Sequence, residues 1–332
     1  NYILLANKVL QGSFPALTEN LGQRVESVLR GSHFMELVSE VKGSEVEEGR
    51  ELVFSDGSRT MWMEVSASRL ALVEESNAPW YLFVFHNITK LKELESMRQQ
   101  FVANASHELK TPVSVIKGYA ETLVEDHSTM EAEERDRFLR VIQSHSERLS
   151  LLINDLLSLS QLESGSLKLD WSSSDLLRWL REASFEIEQS LKAKGRDLIL
   201  ELPHDDEALV RFDVLKVRQV IDNLIENANK YSPPNTPIRL GASVENEDVN
   251  VWVIDEGQGV SDSDLTKIFE RFYRVDKGRS RDTGGTGLGL SIVKRIVDCH
   301  DGRVWAENVE GKGLKLTFRL PLAARAIAGA ND

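Results

Sequence analysis

Two long stretches in the first half of the chain carry apolar residues at helical spacing. In the first, the gaps between apolar residues are 4, 3, 4 and 3 along Leu109, Val113, Ile116, Ala120 and Leu123. This spacing predicts a helix with one buried stripe, and a charged segment from residue 89 leads into it without a break. The second stretch, residues 130–163, carries a heptad seam made of Phe138, Ile142, His145, Leu149, Leu152, Leu156 and Leu159. A hairpin of two such helices cannot cover its own apolar face, so the pattern predicts a homodimer that forms a four-helix bundle.

The patterns on either side of this hairpin mix strands and helices. Before it, residues 51–54, 61–65 and 80–85 read as strands, with Asp56-Gly57 as a hairpin turn and residues 71–79 as a loop. Residues 164–172 read as a linker. Beyond the linker, the patterns predict helices over 176–193, 214–230 and 288–298, and strands over 198–202, 238–244, 250–254, around 304 and over 314–320. This order is typical of an α+β sandwich with a mixed sheet covered by helices on one face.

Composition narrows the function classes. The chain has 332 residues and a formal net charge of -13, which argues against direct binding to nucleic acid or to anionic lipid. The single cysteine, Cys299, permits no internal disulfide and fits a reducing compartment. The sequence contains no apolar run of 18 residues, and it opens at Asn1 on an apolar run, so we expect a fragment or processed product.

His107 is the first candidate for chemistry. It lies two residues from Leu109, so it points away from the buried stripe of its helix and is predicted to be an exposed nucleophile. Glu108 lies beside it, and Pro112 is expected to bend the helix one turn later. By itself, the string Ser-His-Glu-Leu around His107 is weak evidence for a catalytic histidine, since most surface histidines are only solvated. His145 lies on the heptad seam, and we interpret it as a packing residue.

A polar helix end supplies the first of four candidate clusters in the last domain. Asn223 and Asn227 are four residues apart and share a helix face, and their amide oxygens suit Mg²⁺. Lys230 offers a point charge for phosphate, and Tyr231 could cover a base. The alternative is an ordinary polar helix end before a Pro-Pro turn.

Two further clusters follow. Asp255, at a strand end, could accept a hydrogen bond from an exocyclic amine such as that of adenine, while Gly257 and Gly259 let the backbone approach a ligand. A simple turn is the alternative. In the run from residue 268, Phe269 and Phe272 are predicted to pack as an i, i+3 pair, and Arg274 could reach a phosphate. The alternative there is an amphipathic helix end packed on the sheet.

The fourth cluster is a glycine loop at a helix start. Gly285, Gly287 and Gly289 recur every second residue, which fails the dinucleotide fingerprint because Leu290 replaces the third glycine. A glycine loop that opens a helix still offers free N–H groups to phosphate. Residues 275–286 are polar and are predicted to form a lid, with a flexible surface loop as the alternative.

Taken together and in this order, the motifs ASHELKTP, NLIENANKYSP, DEGQGV, IFERFYRVD and GTGLGLSIVKRIV resemble the phospho-acceptor, N, G1, F and G2 boxes of the sensor histidine kinases of bacterial two-component systems. The likeness covers roughly residues 90–321, and residues 1–88 look like a PAS sensor module. The run LESMRQQFVANASHELKTP is most similar to the phosphate-regulon sensor kinases.

This resemblance implies roles for residues and a set of ligands. It implies that His107 attacks the γ-phosphate of ATP, that Glu108 orients the ring and takes its other proton, and that Thr111 positions water for dephosphorylation of a partner. It implies that Asn227, beside Asn223, ligates Mg²⁺, that Lys230 and Arg274 contact phosphates, and that Tyr231 and Asp255 meet adenine. The residues that would shape the pocket and its lid are Gly257, Gly259, Gly285, Gly287, Leu288 and Gly289.

The fold class implied is multidomain α+β: a PAS-like α/β module, a dimeric four-helix bundle and an α/β sandwich that binds ATP. The corresponding domains are residues 1–88, a signalling helix and phosphotransfer hairpin over 89–163, a linker over 164–172, the ATP-binding domain over 173–323 and a tail over 324–332. The resemblance also implies a response-regulator receiver domain as partner, and a cytoplasmic chain whose parent is anchored to the bacterial inner membrane through segments absent here. Two alternatives stay open: an inactive dimeric signalling scaffold, and another ATPase of the same nucleotide-domain superfamily.

Overall fold

The architecture is that of a computed structural model, which describes residues 2–19, 21–29, 32–43, 46–56, 59–70, 79–126, 130–163, 168–204, 206–275, 285–309 and 313–323. The chain divides into two compact units, Asn1–Ala103 and Asn104–Asp332. Within the described ranges, we find no helix with both the length and the apolar character needed to cross a bilayer.

The first unit is built on an antiparallel sheet of three strands in the order β1-β2-β3. Its strands are β1 (Val46–Asp56), β2 (Arg59–Leu70) and β3 (Trp80–Asn87), and its helices within the described part are α1 (Lys8–Ser13), α2 (Ala16–Glu19), α3 (Val25–Val28) and α4 (Ser32–Glu40). Phe34 and Leu37 of α4 pack against Leu52, Met63 and Val65 on one face of the sheet. The three predicted strands are confirmed, while Gly57 of the predicted turn and residues 71–78 of the predicted loop lie outside the described residues.

Helix α5 (Thr89–Glu125) begins directly after β3. The Asn87 Oδ1 atom accepts a hydrogen bond from the Thr89 backbone N–H at 3.0 Å, which caps the helix start. The Thr89 Oγ1 atom accepts one from the backbone N–H of Trp62 at 2.9 Å, so the start of α5 is fixed to the middle strand of the sheet. The helix continues through Pro112, which confirms the predicted unbroken run from residue 89. The predicted bend stays a prediction.

Helix α6 (Ala132–Glu163) completes the hairpin, and the predicted seam is only partly buried. Leu152 and Leu159 are 2% exposed, whereas Val113 of the α5 stripe is 49% exposed. Leu139 and Ile153, which flank the seam, are also exposed. A hairpin that leaves apolar side chains open in this way has the incomplete core that the sequence pattern predicts.

The chain beyond α6 forms an α+β sandwich, which confirms the predicted class. The mixed sheet has the order β5-β7-β8-β10-β9, with β5 and β7 parallel, and a two-stranded ribbon joins β4 and β6. The elements are β4 (Trp171–Asp175), α7 (Leu176–Lys192), β5 (Leu198–Glu201), β6 (Leu209–Asp213), α8 (Val214–Tyr231), β7 (Ile238–Glu245), β8 (Asp248–Ile254), a 3-10 turn (Lys267–Phe269), α9 (Gly289–Cys299), β9 (Arg303–Asn308) and β10 (Leu314–Pro321). Leu180, Ile221 and Phe318 are fully buried in its core.

Sequence patterning misses both strands of the ribbon. Trp171 and Ser172, assigned to the linker and placed before the predicted domain start at 173, belong to β4, and β6 has no predicted counterpart. The run of serines in β4 shows no apolar alternation, so nothing in it signals a strand. Tertiary contacts hold it instead: the Trp171 ring lies 4.9 Å from the Arg211 guanidinium and 5.0 Å from the His300 ring. Residues 164–167 of the predicted linker and 324–332 of the predicted tail lie outside the described residues.

His300 fixes the start of α8 relative to the end of α9. Its Nε2 atom accepts a hydrogen bond from the Asp213 backbone N–H at 3.0 Å, so the ring is neutral there and its Nδ1–H donates to the Ile296 carbonyl at 2.8 Å. Burial lowers the pKa of His300, which favours this neutral form. One buried imidazole therefore links the start of α8 to the end of α9.

Candidate nucleotide and phospho-acceptor site

The His107 side chain is exposed on α5, as predicted from its distance to Leu109. One turn later, the Thr111 hydroxyl donates a hydrogen bond to the His107 carbonyl at 3.2 Å, so the two residues share a helix face. An accessible imidazole can act as a nucleophile through the ring nitrogen that carries no proton.

Glu108 turns toward the second helix of the hairpin. Its Oε2 atom lies 3.4 Å from Arg148 Nη2 on α6, and the two side chains are 26% and 15% exposed. This ion pair is therefore largely sheltered from water. Its electrostatic attraction is screened less than that of an ion pair on the surface. Arg148 was not singled out from the sequence, because a lone arginine on a polar helix carries no distinguishing signal.

The α8 face that carries Asn223 and Asn227 lies against the glycine loop. Asn223 and Asn227 are both half-buried, and the Asn223 amide donates a hydrogen bond to the Gln219 carbonyl at 2.8 Å. A side-chain carbon at Gly289 would lie 2.8 Å from Asn223 Oδ1 and 4.0 Å from Asn227 Nδ2. Since neutral amide oxygens are suitable Mg²⁺ ligands, this pair at the loop fits the predicted metal position.

Lys230 lies at the end of α8, under the same loop. Its pKa is lowered to about 8, chiefly by burial and then by the positive charge of Arg274; Glu226 opposes the shift, and Arg148 adds to it. Its Nζ lies 5.0 Å from the centre of the Tyr231 ring, which is itself exposed. A Cβ atom at Gly285 would collide with Lys230 Nζ, so the loop passes directly over this amine.

Asp255 follows β8 and is one of the few buried carboxylates among the described residues, at 6% exposure. Its Oδ1 accepts hydrogen bonds from the backbone N–H groups of Gly257 at 2.7 Å and Leu314 at 3.3 Å. Burial raises the pKa of Asp255, and the two backbone donors oppose that rise. With Oδ1 held by the backbone, the carboxylate has a fixed orientation and presents Oδ2 as its second acceptor.

Glycine is required at position 257 because neighbouring atoms leave no room for a side chain. A Cβ at this position would lie 2.8 Å both from Asp255 Oδ1 and from the Tyr231 carbonyl oxygen. The absent side chain thus lets the loop after β8 pack against the end of α8, which brings Asp255, Lys230 and Tyr231 into one region. Gly259, two residues on, lies beside Asn308, whose Oδ1 accepts a hydrogen bond from the Val260 N–H at 3.0 Å.

The segment around Phe272 differs from its prediction. The 3-10 turn ends at Phe269, which is buried, and Phe272 has a left-handed φ of 60°, so the two are not an i, i+3 pair of one helix. The Phe272 N–H donates a hydrogen bond to the Gly287 carbonyl at 2.9 Å. This link, rather than helix continuation, decides the conformation of the segment and brings half-buried Arg274 to the glycine loop.

The glycine loop leads into α9 and contacts the hairpin. Leu288 is fully buried, and its N–H donates to Thr286 Oγ1 at 3.2 Å. The Thr286 hydroxyl donates to Asp155 Oδ2 on α6 at 2.8 Å, and burial raises the pKa of Asp155. Seven residues further along α6, the Leu162 carbonyl accepts a hydrogen bond from Arg295 Nε of α9 at 3.1 Å. Residues 276–284 of the predicted lid lie outside the described residues.

These contacts between α6 and the sandwich were not predicted. Asp155 occupies a position that flanks the heptad seam, where a carboxylate usually faces solvent. The only sequence signal is that Arg148, Asp155 and Leu162 recur at intervals of seven and therefore share a face of α6.

Comparison with known proteins agrees with this geometry. Residues 97–165 match the model of the His Kinase A (phospho-acceptor) domain, and residues 212–324 match that of the histidine kinase-, DNA gyrase B- and HSP90-like ATPase. The sensor protein kinase WalK of Staphylococcus aureus is 34% identical over 308 residues, which cover 91% of this chain and 73% of that protein. The chain belongs to the sensor histidine kinase family.

The sensor histidine kinase WalK of Bacillus subtilis is also similar to this histidine kinase, with 39% identity over 240 residues. The match covers 72% of this chain but only 39% of that protein, so the chain spans well under half of it. Both relatives carry the name WalK and not that of a phosphate-regulon kinase.

Two solved structures share the fold. Acinetobacter baumannii histidine kinase AdeS is 24% identical, covers 65% of this chain and 98% of its own, and has a TM-score of 0.52. Histidine kinase ThkA, solved in complex with response regulator protein TrrA, is 21% identical, covers 98% of this chain and 94% of its own, and has a TM-score of 0.55. At these identities the likeness concerns architecture alone.

Proposed function

We propose that this chain transfers the γ-phosphoryl group of ATP to His107 and then passes it to an aspartate of a response-regulator receiver domain. The observation that carries the proposal is the arrangement within the second unit. An exposed imidazole lies on α5, while α6 of the same hairpin holds the glycine loop of the nucleotide domain through the 2.8 Å bond between Thr286 and Asp155.

In the proposed reaction, a ring nitrogen of neutral His107 attacks the γ-phosphorus of ATP. The new N–P bond forms as the bond between the γ-phosphorus and the bridging oxygen breaks, and that electron pair leaves with ADP. The proton on the other ring nitrogen passes to Glu108 as the imidazole becomes positively charged. Positioning and charge neutralisation carry most of such a transfer, which fits a site made of cations and backbone N–H groups.

Individual roles follow from the same geometry. Asp255 would accept a hydrogen bond from the adenine amine through Oδ2, since Oδ1 already serves Gly257 and Leu314. Lys230 and Arg274 would contact phosphates. Asn227, with Asn223 beside it, would hold a Mg²⁺ ion that supplies charge neutralisation on the phosphates. Tyr231, exposed at the end of α8, would stack near the base, and Gly257, Gly259, Gly285, Gly287, Leu288 and Gly289 would shape the pocket and lid.

We also propose that the hairpin dimerises and that Thr111 positions water when the kinase removes phosphate from its partner. The exposed apolar residues Val113, Leu139 and Ile153 support the dimer, because a second hairpin would bury them. A PAS-type role for residues 1–88, and placement of the parent protein at the inner membrane, remain predictions. Control of the phosphate-starvation response is the weakest of these proposals, since the reported relatives bear another name.

Incubation with ATP labelled at the γ-phosphate tests the proposal. We expect an acid-labile protein label that is lost in His107→Gln and retained in His86→Gln, a matched change at another exposed histidine. An unlabelled wild-type protein would indicate a signalling scaffold. ATP turnover that persists undiminished in His107→Gln would indicate another ATPase of the same superfamily.

A further inference from the structure

One face of α6 meets the nucleotide domain at two points, the Asp155 side chain and the Leu162 carbonyl. Arg148, Asp155 and Leu162 lie seven residues apart, and because seven residues are close to two full turns, they share a face. Asp155 accepts the hydrogen bond from Thr286, and the Leu162 carbonyl accepts one from Arg295. Arg148 lies about 10 Å from Asp155 along the helix, on the side of its N-terminus.

Arg148 joins the phospho-acceptor region to the phosphate region. Its guanidinium lies 3.4 Å from the carboxylate of Glu108, the neighbour of His107. Its positive charge also contributes to the lowered pKa of Lys230, so its field reaches the amine under the glycine loop. Arg148, Lys230 and Arg274 thus bring three positive charges into one region. The negative charge of Glu226 opposes the effect of the two arginines on the pKa of Lys230.

Lys230 is repelled by both arginines, and a bound anion would relieve this repulsion. A triphosphate carries the required charge, and its terminal group is the part that must approach His107. Lys230 and Arg274 belong to the nucleotide domain, whereas Arg148 belongs to the hairpin. An arginine can also hold two phosphate oxygens at once through its planar guanidinium.

We propose that Arg148 contacts the terminal phosphate of bound ATP, so that the triphosphate site is a composite of the hairpin and the nucleotide domain. This inference rests on the proposed function. When the guanidinium turns to the phosphate, Glu108 is released from its ion pair and becomes free to accept the imidazole proton. ADP lacks the terminal group and therefore gains nothing from Arg148.

Binding of β,γ-imido-ATP and of ADP, each with Mg²⁺ and measured by calorimetry, tests this contact. We expect Arg148→Gln to lower the affinity for imido-ATP by about tenfold, because a charge-assisted contact is lost. The affinity for ADP should change by less than about twofold. Arg148→Lys should recover part of the loss. Arg140→Gln, the same change at an exposed position of α6, should alter neither ligand. Equal weakening of both ligands, or none, would overturn the inference.

Glu108→Gln separates a phosphate contact from a structural ion pair. It removes the pair but keeps the guanidinium, so the proposal requires imido-ATP affinity that is retained or increased. A loss equal to that in Arg148→Gln would mean that the pair only holds the hairpin together. If Arg148→Gln does not fold, Arg148→Lys takes its place: the proposal requires it to weaken the binding of imido-ATP more than that of ADP, and equal effects on the two ligands would overturn it.

The two proposals fail separately. If the wild-type protein labels His107 while Arg148→Gln keeps the wild-type ratio of imido-ATP to ADP affinity, the kinase proposal stands and the Arg148 contact is wrong. If the wild-type protein shows no label but the affinity ratio falls in Arg148→Gln, the contact stands and the kinase proposal is wrong.

Discussion

The nucleotide domain and the helical hairpin differ in how completely they bury their apolar surface. In the domain, helices cover the mixed sheet and the core residues Leu180, Ile221 and Phe318 reach 0% exposure. In the hairpin, Leu139 is 50% exposed and Ile153 is 43% exposed. One half therefore completes its core from its own chain, while the other depends on contacts from outside the hairpin.

The same contrast holds for the reactive groups. Asp255 is buried and fixed by two backbone donors, as a binding site for a specific ligand requires. His107 is exposed, as required of a group that must meet both a nucleotide and, under the proposal, a second protein. Under the proposal, binding therefore depends on a buried, hydrogen-bonded group, and transfer depends on an accessible one.

The largest expected effect concerns the two cores. Leu180→Ala should lower the free energy of unfolding of the nucleotide domain by about 3 kcal/mol, because it leaves a cavity in a closed core. Ile153→Ala should destabilise α6 less, because this side chain is partly exposed in the hairpin, and the loss should increase where a second hairpin covers it. Hydrogen exchange of α7 and α6 amides measures both. We expect the destabilisation by Leu180→Ala to be independent of protein concentration and that by Ile153→Ala to increase with protein concentration. If the effect of Ile153→Ala does not depend on concentration, the proposed dimer is contradicted.

The next effect concerns Asp255. In Asp255→Asn, the single amide oxygen is needed by the Gly257 and Leu314 N–H groups, so the amide NH2 would face the adenine amine, donor against donor. We expect ATP affinity to fall about 30-fold, which corresponds to about 2 kcal/mol for an unpaired polar group. Glu256→Gln, at the exposed neighbour, is the control and should bind normally. Calorimetry that shows equal affinity in the two variants would exclude Asp255 from base recognition.

The next expected effect is a pH dependence of nucleotide binding that comes from Lys230. Its pKa of about 8 means that the amine of the free protein loses its proton as pH rises past that value. Bound phosphate favours the charged form and raises the pKa, so ATP affinity should be full below pH 8 and fall above it, by at most about tenfold per pH unit. Lys230→Arg stays charged and should lose this dependence. An identical pH profile in both proteins would assign the dependence to another group.

The smallest effect concerns the contact between the two halves. Thr286→Val keeps the shape of the side chain but removes the hydroxyl, which donates to Asp155 and accepts from the Leu288 N–H. We expect the amides of Thr286 and Gly287 to exchange about fivefold faster, since the hydrogen bond to Asp155 contributes about 1 kcal/mol. The Leu288 amide also loses its own acceptor and should show a larger increase. Thr266→Val, at an exposed threonine, is the control. Unchanged exchange in Thr286→Val would show that the loop is held by other contacts.

Much of the candidate site could be predicted because its residues lie in short, local motifs. The exposure of His107 followed from helical periodicity, and the strand end before Asp255 followed from an apolar run. Phe272 could not be placed in this way, because its left-handed conformation depends on a hydrogen bond to Gly287, 15 positions later. Trp171 was assigned to a linker for the same kind of reason, since the groups that hold it come from β6 and from His300.

By itself, the sequence determined the order of the main helices and strands apart from the ribbon of β4 and β6, the predicted nucleophile and the types of side chain available to a nucleotide. Periodicity and short motifs suffice for these, because they depend on neighbours within one or two turns. Tertiary structure alone decided that the α6 face with Arg148, Asp155 and Leu162 meets Glu108 of α5 and the nucleotide domain. The reason is that these contacts join residues 40 positions apart, between Glu108 and Arg148 within the hairpin, or 131 apart, between Asp155 and Thr286. No local pattern specifies such a pair; it forms only when the packing of both halves brings the groups together.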